Sequence, residues 1–141
     1  MDGIILTPLK KIHHPKGDLF HAMKASDVGY EGFGEAYFSN VSQDEIKGWK
    51  QHTEMTLNLI VVIGEIRFVI YDGRTFFSAT LSINNYQRLS VSPGLWVAFK
   101  GLSASNTLLN LASIEHTPSE SNNMALDGFD YDWSKDQKKC G

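Results

Sequence analysis

The densest set of chemistry-bearing side chains lies between residues 35 and 52. Glu35-Ala36-Tyr37-Phe38-Ser39 is followed by Ile46-Lys47-Gly48-Trp49-Lys50-Gln51-His52. This stretch holds a phenol, two amines, an indole and an imidazole. Around a pocket, such groups could bind an anion, stack on a base and move protons. On a solvated surface they would be ordinary lysines beside two core aromatics. A metal centre fits less well. The histidines are His13, His14, His21, His52 and His116. His-X-His spacing puts two imidazoles on one strand face. The candidate is Lys50-Gln51-His52, where a lysine fills the first place and its ammonium repels a cation. After Pro93-Gly94, where a third histidine could approach, the chain runs Leu95-Trp96-Val97. His13 and His14 point in opposite directions if extended. No metal is expected.

Other chemistries lack their motifs. There is no Gly-X-Ser-X-Gly elbow, and the single cysteine, Cys140, stands next to the C-terminus. Neither a Walker motif nor a Gly-X-Gly-X-X-Gly fingerprint occurs. Gly29 to Gly34 is glycine-rich, but Tyr30, Glu31 and Phe33 make it a poor phosphate cradle. It reads as a bend before a strand at Glu35. No cofactor is expected.

The elements that must position these groups are strands. Leu57 to Ile63 is β-branched and apolar and stops at Gly64. Glu65 to Tyr71 follows and ends at Asp72-Gly73, a hairpin signal because both residues tolerate positive φ. Thr75 to Ile83, Leu89 to Val91, Leu95 to Phe99 and Thr107 to Ile114 continue the series, with turns at Asn84-Asn85 and Pro93-Gly94. Short strands with turns this regular predict an all-β sandwich or barrel. In Glu65 to Tyr71, Ile66, Phe68 and Ile70 share one face, and Arg67, Val69 and Tyr71 the other. The second face is only half polar, so it should be covered, by a second sheet or a dimer interface. Ser42-Gln43-Asp44-Glu45 has the spacing of a capping box and predicts one helical turn. Residues 115–126 are polar, contain Pro118 and read as a loop. A charged tail from Ser134 is expected to fray.

At 141 residues, with 42% hydrophobic and 21% charged side chains, the chain suits one packed domain. A net charge of -3 argues against a broad surface for duplex nucleic acid, though not against a local basic pocket. The longest apolar run, Leu59 to Ile63, is too short to span a bilayer. The N-terminus has no basic start or long apolar stretch, so no secretory signal is expected. A soluble cytoplasmic protein is the plain reading.

An ordered set of short motifs, from about Ile12 to Trp133, resembles the sugar-nucleotide branch of the cupin superfamily. That branch contains the dTDP-4-dehydrorhamnose 3,5-epimerases and the dTDP-sugar 3,4-ketoisomerases. His14-Pro15-Lys16-Gly17-Asp18-Leu19-Phe20 resembles the epimerases' Arg-Gly-X-Phe segment, which contacts the nucleotide, with lysine in place of arginine. Tyr37 is similar in position to a tyrosine near the ketoisomerase active site. Lys47 to His52 resembles the Arg-Gly-X-His segment, which reads His-X-His in the ketoisomerases. Gly64 to Arg74 is similar to a Gly…Asp-X-Arg strand pair. Ser92 to Trp96 and Leu108 to Ser113 look like late ketoisomerase strands, and Tyr131-Asp132-Trp133 like the epimerases' closing segment.

The resemblance implies a cupin double-stranded β-helix, a jelly roll with at most short helical turns, over residues 1–133. It implies metal-free proton abstraction beside the ketone of a dTDP-linked 4-keto-6-deoxy sugar, giving an epimer or a shifted ketone. His52 or Lys50 would be the base and Tyr37 its proton partner. Lys16, Lys47 and Arg67 would hold the pyrophosphate, with Phe20 and Trp96 walling the ligand. A homodimer is implied, with no nucleic-acid or membrane partner. The family's histidine base falls on Lys50, and no acid is evident to pair with His52. A catalytically altered cupin that only binds the sugar nucleotide is the alternative.

Overall fold

A computed structural model of the chain describes residues 1–136. Twelve strands are present there: β1 (Ile4–Pro8), β2 (Lys11–Ile12), β3 (Leu19–Phe20), β4 (Glu35–Asn40), β5 (Ile46–His52) and β6 (Leu57–Ile63), then β7 (Glu65–Tyr71), β8 (Phe76–Ser82), β9 (Gln87–Val91), β10 (Trp96–Gly101), β11 (Thr107–Ala112) and β12 (Ser121–Asn123). They form two five-stranded antiparallel sheets, ordered β1-β9-β6-β11-β4 and β12-β5-β10-β7-β8, and a small β2-β3 hairpin. From β4 onward, chain neighbours alternate between the two sheets except at the β7-β8 hairpin, so most contacts join distant residues. The expected all-β roll is the architecture observed, and among the described residues its helical content is three 3-10 turns.

The core lies between the sheets, where the apolar alternation of the strands meets. One sheet contributes Leu57, Leu59, Val61, Leu89 and Leu108; the other contributes Ile66, Phe68, Ile70, Leu81 and Val97. The second face of β7 is covered too. Val69 packs in an outer aromatic layer with Trp49, Tyr71, Phe76 and Trp96, closed by Phe129, Tyr131 and Trp133 from the C-terminal segment. The chain's own end therefore supplies cover that the sequence reading sought in a second sheet or a partner.

Four local expectations change. Residues 42–45 make a turn instead of a helical one: Asp44 sits at φ +64° and Gln43 bridges Gly101. A left-handed residue stops helical propagation at once. Residues 115–126 are more than a loop. Pro118–Glu120 form a 3-10 turn, and β12 pairs with β5, Ser121 opposite His52. The hairpin after β7 is wider than Asp72-Gly73 alone, because Tyr71 pairs with Phe76. The Thr75 and Arg74 amides donate to Asp72 Oδ1, both at 2.8 Å, and hold that carboxyl below its ordinary value. The expected tail starts with a 3-10 turn, Trp133–Asp136; residues 137–141, with Cys140, lie outside the described residues.

Arg88 fixes the long loop before β4. It is fully buried on β9. Its Nη1 donates to Ala22 O at 2.7 Å, and Nη2 donates to Val28 O at 3.0 Å. Burial pushes its pKa down, and Asp27, 3.4 Å away, opposes that shift.

Candidate active site

A cavity of about 330 Å³ opens between the sheets at β4, β5 and β11. Its floor is apolar: Leu57, Leu59, Val97, Phe99 and Leu108. Its polar wall comprises Tyr37, Ser39, Lys47, Lys50, His52 and Asn110. Glu35 and His116 join Tyr37, Lys50 and His52 around the adjoining mouth.

Strand β5 supplies three of these groups, and it can do so because it is bulged. Residues 47 and 50 should face opposite sides of a regular strand. Here Lys47 pairs with Phe99 and Lys50 with Val97, so Gly48 and Trp49 together oppose Ala98. The extra residue restores the phase, and both amines reach the same cavity. Trp49 turns to the outer aromatic layer, where its Nε1 donates to Leu126 O at 3.2 Å. Gly48 sits at φ +138°, and a Cβ there would meet the Ala98 Cβ at 2.6 Å. No other residue fits this close approach without displacing β10.

The two amines differ. Lys47 Nζ donates to Asn40 O at 2.7 Å and to Ser39 Oγ at 3.1 Å. Lys50 is half-buried and has no hydrogen-bond or ion-pair partner among the described residues. Its charge is therefore available to a ligand.

His52 and Glu120 form a buried pair, with Nδ1 2.8 Å from Oε1. The other Glu120 oxygen accepts from the Met55 amide at 2.9 Å and the Glu54 amide at 3.1 Å. Thr53 anchors the same turn: its amide and its Oγ1 both donate to Glu120 O at 2.8 Å. Burial raises the Glu120 carboxyl. The hydrogen bonds from His52, Met55 and Glu54, with the His52 charge, outweigh burial and leave the carboxyl below its ordinary value of 4.5. It is thus a carboxylate near neutrality and can only accept. His52 Nδ1 must carry the hydrogen, which leaves Nε2 as the basic nitrogen.

A depressed carboxyl contributes stability above its unfolded pKa and loses it as pH falls through the folded value. The protein should therefore lose stability on acidification below about pH 4.5. Urea unfolding across pH 3 to 6 checks this. Glu120→Gln should flatten that dependence; an unchanged slope would show that other carboxyls carry it.

His52, His116 and Glu120 also present donor atoms within 4.8 Å of one another. Two ligands of one tetrahedral zinc stand about 3.3 Å apart. The 2.8 Å His52–Glu120 separation is that of a shared hydrogen, and Glu120's second oxygen is held by two amides. His116 Nδ1 lies 3.8 Å from Glu120 Oε1, and its own amide donates to Glu35 Oε2. The trio's geometry is that of a proton-bearing pair.

The structure thus gathers Tyr37, Lys47, Lys50 and His52 in one cavity. It does not gather the other candidates there. Lys16 lies in the exposed loop of the β2-β3 hairpin, and Phe20 packs on Tyr86 at 5.6 Å. Arg67 is on the outer face of β7 with Val69, its Nη1 3.5 Å from Ser78 Oγ. Trp96 faces outward too, against Phe129 at 5.2 Å. Alternation sends both away from the cavity. Two residues were missed in the sequence. Glu120 is a lone acid in a polar segment with no signature. Asn110 had a signal, a polar residue at an inward position between Leu108 and Ala112.

A search of curated proteins finds no significant match. Solved structures do match. A dTDP sugar isomerase from Desulfovibrio desulfuricans G20 is 28% identical, with TM-score 0.89, over 94% of this chain and 92% of that one. The 3,4-ketoisomerase QdtA from Thermoanaerobacterium thermosaccharolyticum, solved with TDP-4-keto-6-deoxyglucose, shares the fold at 19% identity and TM-score 0.78, over 86% and 88%. The epimerase RmlC from Legionella pneumophila shares it at 16% and 0.80, over 89% and 74%. These neighbours bear out the cupin roll and the sugar-isomerase branch expected from the motifs. The model of the family described as FdtA (WxcM-like, C-terminal) matches residues 2–125, and the chain belongs to that family.

Proposed function

We propose that the protein is an isomerase of a dTDP-linked 4-keto-6-deoxy sugar, acting by proton transfer beside the ketone. The buried His52–Glu120 pair, with His52 on the wall of the cavity between the sheets, carries this reading. A ketone acidifies the neighbouring C–H, and the enzyme must remove that proton and stabilise the enolate. Glu120 orients His52, whose Nε2 takes the proton. The unpartnered Lys50 ammonium faces the developing oxyanion. Tyr37 returns a proton, either to the opposite face of the same carbon or to its neighbour. Lys47 lies toward the phosphates, and Lys16 and Phe20 on their exposed hairpin belong to the nucleotide end. The related structures solved with TDP-4-keto-6-deoxyglucose and with dTDP-4-keto-L-rhamnose support this substrate class.

Incubation with dTDP-4-keto-6-deoxyglucose in deuterated water should place deuterium at C3 or C5, read by NMR. Tight binding without exchange would identify the altered cupin instead, a reading that the lysine at position 50 favours. We place the working protein in the cytoplasm, as one domain over residues 1–133, and as a homodimer. Phe38 on the edge strand β4 is 68% exposed, and Phe33 in the loop before it 62%, which supports a partner at this edge. Sedimentation equilibrium showing a stable monomer would count against the dimer. Among the described residues no helix is long and apolar enough to cross a membrane.

A further inference from the structure

Tyr37 and Asn110 stand directly opposite each other across β4 and β11, both facing the cavity. Asn110 is fully buried. Its two amide atoms cannot be exchanged, because each has a partner of fixed chemistry on one side. Oδ1 lies 3.0 Å from the Asn58 amide, which can only donate. The atom there must be an oxygen. The other atom, 3.0 Å from Tyr37 Oη, is therefore the nitrogen, which also can only donate. Tyr37 Oη accepts that bond, so its own hydrogen points elsewhere. No acceptor for it exists among the described residues. The frame behind this is rigid: Asn58 is buried, its Nδ2 donates to Gly29 O at 3.1 Å and Ser90 Oγ donates to its Oδ1.

We infer that Asn110 is a positioning residue that fixes Tyr37 as a hydrogen-bond donor to the bound sugar. The consequence is a division of labour. His52 Nε2, lacking a hydrogen, removes the proton. Tyr37, with its hydrogen aimed into the cavity, delivers one, and the oxygen left behind keeps the Asn110 N–H bond. The inference rests on the proposed reaction and specifies the direction of each proton in it.

Asn110→Asp tests the polarity. The aspartate still accepts from the Asn58 amide, but its second oxygen now accepts from the phenol and captures its hydrogen. Exchange and turnover should fall about 100-fold in kcat, with KM changed less than about threefold. In a Tyr37→Phe background the same substitution should change kcat less than about twofold. Asn110→Leu, which carries no buried charge, provides a second variant, with a smaller loss that likewise disappears in the Tyr37→Phe background. Equal losses with and without the Tyr37 hydroxyl, or a loss confined to KM, overturn the inference. A wild-type protein that neither binds nor exchanges the keto sugar overturns the reaction itself. Wild-type exchange combined with additive variants overturns only the role of Asn110.

Discussion

Glu120→Gln should slow deuterium exchange between about 100- and 10,000-fold while the fold persists. The Met55 and Glu54 amides donate to one carboxylate oxygen, so a glutamine must place its oxygen there. Its NH2 then faces His52 Nδ1, which has to accept. The imidazole is driven into the other tautomer, with the hydrogen on Nε2. The nitrogen facing the cavity becomes a donor and can no longer take a proton. Loss of a correct tautomer of this kind removes about 10⁴ in kcat in the serine-protease triad. Here the loss should fall between about 10² and 10⁴, the usual span for a general base. Exchange rates and calorimetric binding of the keto sugar measure it. A loss below tenfold would show that His52 is not the base, or that Glu120 does not set its tautomer.

Trp49→Ala should produce the largest loss of stability. The side chain is 1% exposed and sits among Phe129, Phe76 and Trp133, at centroid distances of 5.3, 6.1 and 6.2 Å. Truncating a buried tryptophan costs about 3–5 kcal/mol in lost burial and residual cavity. That is a large share of the roughly 5–15 kcal/mol that holds a domain together. The damage should also be directional. The Trp49 backbone exchanges hydrogen bonds with Met124 at 3.0 and 3.1 Å, and its indole holds Leu126 O. The segment after β12 should detach first and become cleavable by protease before the barrel unfolds. Urea unfolding and limited proteolysis read the two effects. Cleavage that starts inside the barrel would overturn this order.

Much of the barrel was legible because its strands alternate cleanly. Leu57–Ile63 and Glu65–Tyr71 are bounded by Gly64 and Asp72, and both strands run as read. The two faces of β7 were legible for the same reason. What hid was structure made by pairing instead of by pattern. Strand β12 is three polar residues with no alternation, and it exists because β5 offers it an open edge. The bulge at Gly48-Trp49 is a property of two strands in register, so no spacing rule along β5 alone predicts that Lys47 and Lys50 share a cavity. Arg67 and Trp96 were drawn into the expected basic pocket by charge and motif. The alternation of β7 already placed Arg67 with the outer residues Val69 and Tyr71. The His52–Glu120 pair joins positions 68 residues apart, beyond any local reading.

On the proposed reaction, that separation also sets when the site is completed during synthesis. A ribosome adds about 5–20 residues each second. His52 leaves the exit tunnel well before Glu120, and during that interval the imidazole has no carboxylate to fix its tautomer. A nascent chain that has emerged only as far as β11 lacks that carboxylate. On the proposed reaction, the site is complete only once the Pro118–Glu120 turn has emerged.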